Sequence, residues 1–352
     1  MEGQQPLSAE ELLHFKREGF VLRRGLLPPA RCAEVRDALW EHGHHHMWRD
    51  DPDTWVGPMP YWEARDGGGG GGHLGDHGDT PEGWPDTRVE FFWGCRAIQR
   101  PLVGLIRNTA VWSIMSQLLG EGQLIEPQVG APWRTDPIDG ELRMWAPERV
   151  RGLLCNLPHP PGTHESADSI AAAAHADMMP FHLGVTALVD RCPPGGGGFT
   201  VWPRSHLRLF RADQRFGDVV SCADRGGVAG AVGGRVDGGC HPVLQPAYAA
   251  VQRTVQETLS PLEFHGGEGD VMFWHSHMFH ARPENHSSPP QIRQAVIYDC
   301  AKRSIDNPHR PRALAVDPWH EWAECVRDLI AEEGSSEGGA AAELCKADAA
   351  RL

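Results

Sequence analysis

Apolar positions recur at helical spacing in three stretches near the start of the chain. Ser8-Ala9-Glu10-Glu11 is a Ser-x-x-Glu capping box, and Leu12 and Phe15 follow on one face, so a helix is predicted from Ser8 that stops near Gly19. Pro28-Pro29 opens a second helix, with Cys32, Val35 and Leu39 on one stripe. Residues 98–119 predict a third, continuous helix. Later the spacing shortens. FVLRRGLL from Phe20, residues 150–157, HLGVTALVD, GFTVWPRSH, residues 267–281 and RQAVIYDC read as short strands, several of them bounded by Gly and Pro turns such as CPPGGGG. Asp317-Pro318 is expected to cap a last helix through about Glu332. Strands in the second half with helices ahead of them predict a mainly β fold with flanking helices, a β-sandwich or barrel at its core.

Composition narrows the classes of function. The 352 residues carry a formal net charge of −14 with no basic run, which argues against a nucleic-acid partner. No apolar stretch is long enough to span a bilayer, and the first residues lack a signal pattern, so an intracellular protein without a membrane partner is expected. Nine cysteines without paired spacing fit reduced thiols. With 41 Gly and 29 Pro the chain exceeds the ordinary share of about 12%, in keeping with many turns. Residues 43–149, including a Gly-rich loop at 66–79, and residues 211–262 read as insertions into a single domain over 1–332, with a disordered Gly/Ala-rich tail at 333–352. The final Ala350-Arg351-Leu352 has the form of a peroxisomal address, set against a cytoplasmic location.

The chemistry is expected around His175-Ala176-Asp177. On a strand, residues two apart point to one face, so an imidazole and a carboxylate at this spacing can meet one ion. His-x-Asp alone is weak, since His77-Gly78-Asp79 repeats it inside the glycine-rich insertion. A third ligand is available from His275, His277 and His280 after Gly269-Asp270. On a regular strand His280 lies opposite His275 and His277, so all three cannot be ligands. Two histidines and a carboxylate form the facial triad of non-haem Fe(II) oxygenases. A hydrogen-bonded core cluster is the plain alternative.

Three blocks in order resemble the phytanoyl-CoA dioxygenase family. These are FKREGFVLRRGLLPPARCAEVRDALWE, then HADMMPFHLGVTALVDRCPPGGGGFTVWPRSH, then GDVMFWHSHMFHARPEN with RQAVIYD. The resemblance covers about half of the chain. It implies a double-stranded β-helix (jelly-roll, cupin-like) core and Fe(II)- and 2-oxoglutarate-dependent dioxygenase activity with O2 as oxidant. His175, Asp177 and His280 would hold the iron. Arg293 would pair through its planar fork with the far carboxylate of 2-oxoglutarate. His159 stands where the family places a polar co-substrate contact, with a purely structural histidine as the equal alternative. His275 and His277 would support the site or the fold, and Asp270 would belong to a turn. Trp48, Trp55 and Trp62 are either core or pocket residues.

The retained carboxylate implies hydroxylation of a C–H bond rather than halogenation. The substrate would be a small molecule or an acyl compound; a CoA ester would want a basic patch, which this acidic chain does not display. A non-catalytic jelly-roll binding module and a zinc hydrolase are the competing readings. The first has no need of all four site residues, and the second none of Arg293. Oligomeric state is not read from the sequence.

Overall fold

The computed structural model describes residues 6–42, 47–56, 72–73, 89–92, 96–107, 109–131, 148, 150–164, 170, 174–177, 181–216, 246–306 and 317–329. The first helix, α1 (Ala9–Glu18), begins as its capping box dictates. Ser8 Oγ accepts from Glu11 N at 3.2 Å and Glu11 Oε2 accepts from Ser8 N at 2.8 Å. It ends at Gly19, whose φ of 85° is a conformation that costs glycine least. There β1 (Phe20–Arg23) starts, and α2 (Pro29–His42) follows with Cys32, Val35 and Leu39 buried as their stripe predicts.

Then come α3 (Asp53–Val56), β2 (Gly72–His73), β3 (Val89–Phe92), α4 (Arg96–Ile106) and α5 (Ala110–Leu119). The continuous helix expected over 98–119 is therefore two. Thr109 adopts extended backbone ahead of α5, and its hydroxyl lies against the Leu105 and Ile106 carbonyls that end α4. The remaining elements are β4 (Gly152–Asn156), β5 (Leu183–Leu188), β6 (Phe199–Val201), α6 (Ser205–Phe216), α7 (Pro246–Thr258), β7 (Leu262–Phe264), β8 (Val271–His275), β9 (His280–Ala281), β10 (Arg293–Cys300) and α8 (Glu324–Arg327).

The last helix is much shorter than its sequence predicts. Asp317 does accept from Trp319 N, but the chain turns there and Ala323 N donates to Leu118 O. The Lys16 ammonium then takes the carbonyls of Val326, Arg327 and Leu329, which a longer helix would need for itself.

Two antiparallel sheets carry the core. One runs β1-β8-β5-β10-β4-β3-β2, the other β7-β6-β9. His175 bridges to His280 and so extends the second sheet beyond β9. From β4 onward the chain passes to and fro between the sheets: β4, His175, β5, β6 with β7, β8, β9, β10. This is the double-stranded β-helix, with helices packed outside it.

Side-chain alternation assigns the two faces of the large sheet. Val185, Ala187, Val271, Phe273, Val296 and Tyr298 face the helices. Leu188, Met272, Trp274 and Ala295 face the smaller sheet, against Phe199, Val201 and Phe264. Both faces are buried, which is why β5 and β8 read as nearly unbroken apolar runs rather than as alternating ones. Arg293 has the same parity as Ala295 and therefore stands on the inter-sheet face.

Candidate metal centre and its surroundings

The stretch 267–281 is not one strand. It breaks at Ser276–Phe279, where Met278 N donates to His275 O, so β8 belongs to the large sheet and β9 to the small one. The break separates the three histidines. His275 stays in the large sheet, its ring stacked on Trp322 at 5.2 Å and near His206 and Trp319. His277 turns toward Phe210. His280 alone reaches His175, and the two residues exchange both backbone hydrogen bonds at 2.8 Å. The expected strand ahead of His175 is only partly visible. Ile170 has helical backbone, residues 171–173 lie outside the described residues, and His175 itself forms an isolated bridge.

Ligand atoms of His175, Asp177 and His280 all lie within 4.8 Å of one another. Asp177 Oδ1 is 3.6 Å from His175 Nε2, and Oδ2 is 3.8 Å from His280 Nε2. The His280 tautomer follows from its other nitrogen. Nδ1 lies 3.0 Å from the Met278 carbonyl, which can only accept, so Nδ1 carries the hydrogen and Nε2 presents a lone pair toward the carboxylate. A lone pair facing a carboxylate oxygen calls for a cation between them. Two imidazoles and one carboxylate are a donor set that suits a divalent iron.

Burial and charge set the protonation states. Burial alone would raise the Asp177 carboxyl, but Arg151, His280 and His175 outweigh it and hold the group well below the usual carboxylate range. Burial pushes His280 down to about 4, helped by His175. The site is thus poised with an anionic carboxylate and a neutral imidazole, the forms that bind metal. Phe199 and Trp274 pack around the His280 ring at 5.1 and 5.0 Å and fix its orientation. The His175 side chain is 41% exposed, whereas those of Asp177 and His280 are 6% and 7%, so the cluster opens on the His175 side.

Arg293 is 2% exposed. Its Nε donates to Gly197 O at 2.9 Å, and among the described residues no carboxylate pairs with it. Burial lowers its affinity for its proton, as expected of a cation without an anion. The glycine is required at this spot. Gly197 has φ 72°, and a Cβ there would meet Asn156 Nδ2 at 2.2 Å. His159, the expected co-substrate contact, lies beside Glu284 and His286, its ring stacked on His286 at 4.7 Å.

Arg151 went unremarked in the sequence. It lies immediately ahead of β4, and its Nη1 reaches Asp177 Oδ2 at 3.0 Å and Asp299 Oδ2 at 3.6 Å. Burial pushes the Asp299 carboxyl up to about 6, against the pull of Arg151 and with the push of Asp177. The available signal was Asp299 itself, a carboxylate inside the otherwise apolar strand RQAVIYDC. Asp270 does belong to its turn, accepting from Gly25 N, Gly267 N and Arg24. Trp55 packs against Trp40 on the core and Trp48 is exposed; Trp62, His77 and Asp79 lie outside the described residues.

Among the described residues no helix is long and apolar enough to cross a membrane. No protein-family model matches the sequence, and no curated protein is similar to it. Solved structures do resemble the fold. The non-haem alpha-ketoglutarate-dependent carbocyclase SnoK from nogalamycin biosynthesis is 15% identical, with 84% of this chain and 87% of that one covered and a TM-score of 0.39. EctD from S. alaskensis, solved with 2-oxoglutarate and 5-hydroxyectoine, is 13% identical over 85% of this chain and 78% of its own, with a TM-score of 0.42. HygX from Streptomyces hygroscopicus, solved with nickel and 2-oxoglutarate, is 13% identical over 84% and 88%, with a TM-score of 0.38.

Proposed function

We propose that the chain is an Fe(II)- and 2-oxoglutarate-dependent dioxygenase of the phytanoyl-CoA dioxygenase type that hydroxylates a C–H bond of a small-molecule or acyl substrate. The observation that carries this is the convergence of His175, Asp177 and His280, joined by a buried arginine on the inter-sheet face with no described carboxylate partner. His175, Asp177 and His280 would hold the iron. Bound there, iron supplies the oxidising chemistry, in which O2 and 2-oxoglutarate become succinate, carbon dioxide and one oxygen atom inserted into a C–H bond.

The chain's own residues do the rest. Arg293 has Nε committed to Gly197 O, and its terminal nitrogens are the donors left to grip a carboxylate bidentately. That grip orients the dicarboxylate with its keto-acid end away from the arginine. Arg151 holds Asp177 Oδ2 and keeps the carboxylate ionised. Met278 O fixes the His280 tautomer. The aromatic wall of Phe199 and Trp274 keeps water from the His280 side. Substrate would enter where His175 is exposed.

The test is anaerobic addition of Fe(II) and 2-oxoglutarate to metal-free protein. A weak visible charge-transfer band is expected from the chelate, reduced in both His280→Ala and Arg293→Ala. Iron-loaded protein that shows no band with 2-oxoglutarate overturns the assignment.

A further inference from the structure

We infer that His159, Glu284 and His286 form a second divalent-metal site, a set of two histidines and one carboxylate of the kind that takes zinc. Each offers one ligand atom, and the three atoms lie within 4.8 Å of one another. None belongs to the first triad. The Glu284 carboxylate stands between the two imidazoles, with Oε2 at 3.1 Å from His286 Nε2 and 3.9 Å from His159 Nε2. Ligand atoms about 2.0–2.1 Å from a tetrahedral zinc lie roughly 3.3 Å apart, within that range.

Hydrogen bonding supplies a second, independent indication. Thr163 Oγ1 lies 2.7 Å from Pro160 O, a group that can only accept, so the hydroxyl's one hydrogen is committed there. The same Oγ1 is 2.9 Å from His286 Nδ1 and must therefore accept from it. The tautomer is then Nδ1–H, and Nε2 presents its lone pair to Glu284 Oε2 at 3.1 Å. Two acceptors at that distance repel unless a proton or a metal ion lies between them. A ligating histidine whose other N–H is held by a neighbouring oxygen is the usual second layer of a metal site.

The scaffold holds the cluster firmly. His159 N donates to Asn285 O and His286 N to Gly195 O. The Asn285 side chain, fully buried, donates to Asn156 O and Gln291 O. The side chains of His159, Glu284 and His286 are 15%, 29% and 11% exposed, open enough for an ion to enter. The site would tie the segment after β4 to the crossing that leads into β10 and Arg293.

The experiment is equilibrium dialysis of metal-free full-length protein against Zn(II), with bound metal counted by mass spectrometry. The variants are Glu284→Gln, His286→Gln, Asp177→Asn and the Glu284→Gln/Asp177→Asn double, their folding checked by circular dichroism. Relative to wild type, Glu284→Gln and His286→Gln should each lose one equivalent, Asp177→Asn a different one, and the double variant two. Thr163→Val should keep the count but bind that zinc about tenfold to a hundredfold more weakly. If Glu284→Gln and His286→Gln bind as much zinc as wild type with the same affinity, the inference fails and the cluster is an imidazolium–carboxylate pair. Comparison by difference removes zinc held by other histidines.

Discussion

His175 and His280 exchange both of their backbone hydrogen bonds, N to O and O to N, at 2.8 Å each. Residues paired in this way across an antiparallel ladder project their side chains to the same face. Two imidazoles 105 positions apart in the chain are thereby aimed together, with ring centroids 4.5 Å apart, before any ion is considered.

Because the bridge is made by backbone, removing an imidazole should spare the fold while destroying the site. His280→Ala is expected to weaken Fe(II) binding by at least about a hundredfold, since loss of a mere supporting group around a metal already costs about 10–100-fold. Binding to metal-free protein measures this, with far-UV circular dichroism unchanged.

Arg151 lies between two buried carboxylates, and taking it away leaves Asp177 and Asp299 facing each other. Arg151→Met is expected to destabilise metal-free protein by about 3–5 kcal/mol, the cost of an uncompensated buried charge. Asp299→Asn in that background removes one of the two charges and should restore a good part of the loss. Urea unfolding of the single and double variants decides it; equal stability of Arg151→Met and wild type would show that the arginine contributes nothing.

Much of this was legible in the sequence because it depends on short-range rules. The Ser8/Glu11 box and Gly19 bound α1 as written, and Cys32, Val35 and Leu39 marked the buried stripe of α2. His175 and Asp177 stood out because residues two apart on a strand share a face; the pair sits at an isolated bridge rather than in a regular strand, and its ligand atoms still lie within 4.8 Å of each other. What escaped depends on distant partners. The break at Ser276–Phe279 is demanded by a chain that must cross between sheets, and no glycine or proline announces it. Arg151 meets Asp177 and Asp299 only once β4 and β10 are paired. The last helix ends early because Lys16, more than 300 residues away in sequence, claims its carbonyls. His159 meets Glu284 and His286 for the same kind of reason: Pro158 and Asn285 are bridged across the fold.

The pH dependence of stability follows from buried rings. Burial is the first cause pushing His206 down to about 3 and His275 well below the ordinary imidazole value, and His280 goes to about 4. The unfolded chain protonates these groups near pH 6.5. Their stabilisation is therefore complete above that pH and lost as pH falls toward 4. Asp299 has the opposite sign: raised to about 6, it favours the folded state in acid and loses that contribution as pH rises through 6. Three groups against one leave a net uptake of about two protons on unfolding, or roughly 2.7 kcal/mol per pH unit at the steepest point. Urea midpoints of metal-free protein at pH 6.5, 5.5 and 4.5 should fall accordingly, and His206→Gln should flatten the slope. A midpoint independent of pH would contradict the burial of neutral histidines.

Co-substrate affinity should separate from iron affinity at Arg293. Arg293→Met removes charge-assisted hydrogen bonds worth about 1.5–3 kcal/mol, which corresponds to 2-oxoglutarate binding weakened by roughly ten- to more than a hundredfold. Fe(II) binding should change little, because a guanidinium is not a metal ligand and the Arg293 Nε contact is to Gly197 O rather than to His175, Asp177 or His280. Anaerobic titration of the iron-loaded variant with 2-oxoglutarate gives the answer, and equal loss of both affinities would mean that the substitution acts by disturbing the core.

Gly197 provides the complementary test, because its carbonyl holds Arg293 Nε. Its carbonyl accepts from Arg293 Nε and from Asn156 Nδ2, and its φ of 72° is one that a residue with a Cβ rarely adopts. In Gly197→Ala the new carbon would lie 2.2 Å from Asn156 Nδ2 and 3.0 Å from Pro283 O, so the turn must shift and carry the carbonyl away from the guanidinium. The expected result is a loss of about 1–3 kcal/mol in stability, with 2-oxoglutarate bound more weakly and Fe(II) bound as in wild type. Asn156→Ala in the same background opens the space that the methyl group needs, and so should recover part of the co-substrate affinity. Recovery would place the defect in the Gly197–Arg293 contact. Failure to recover, with 2-oxoglutarate still weak, would place it in the backbone strain of the turn.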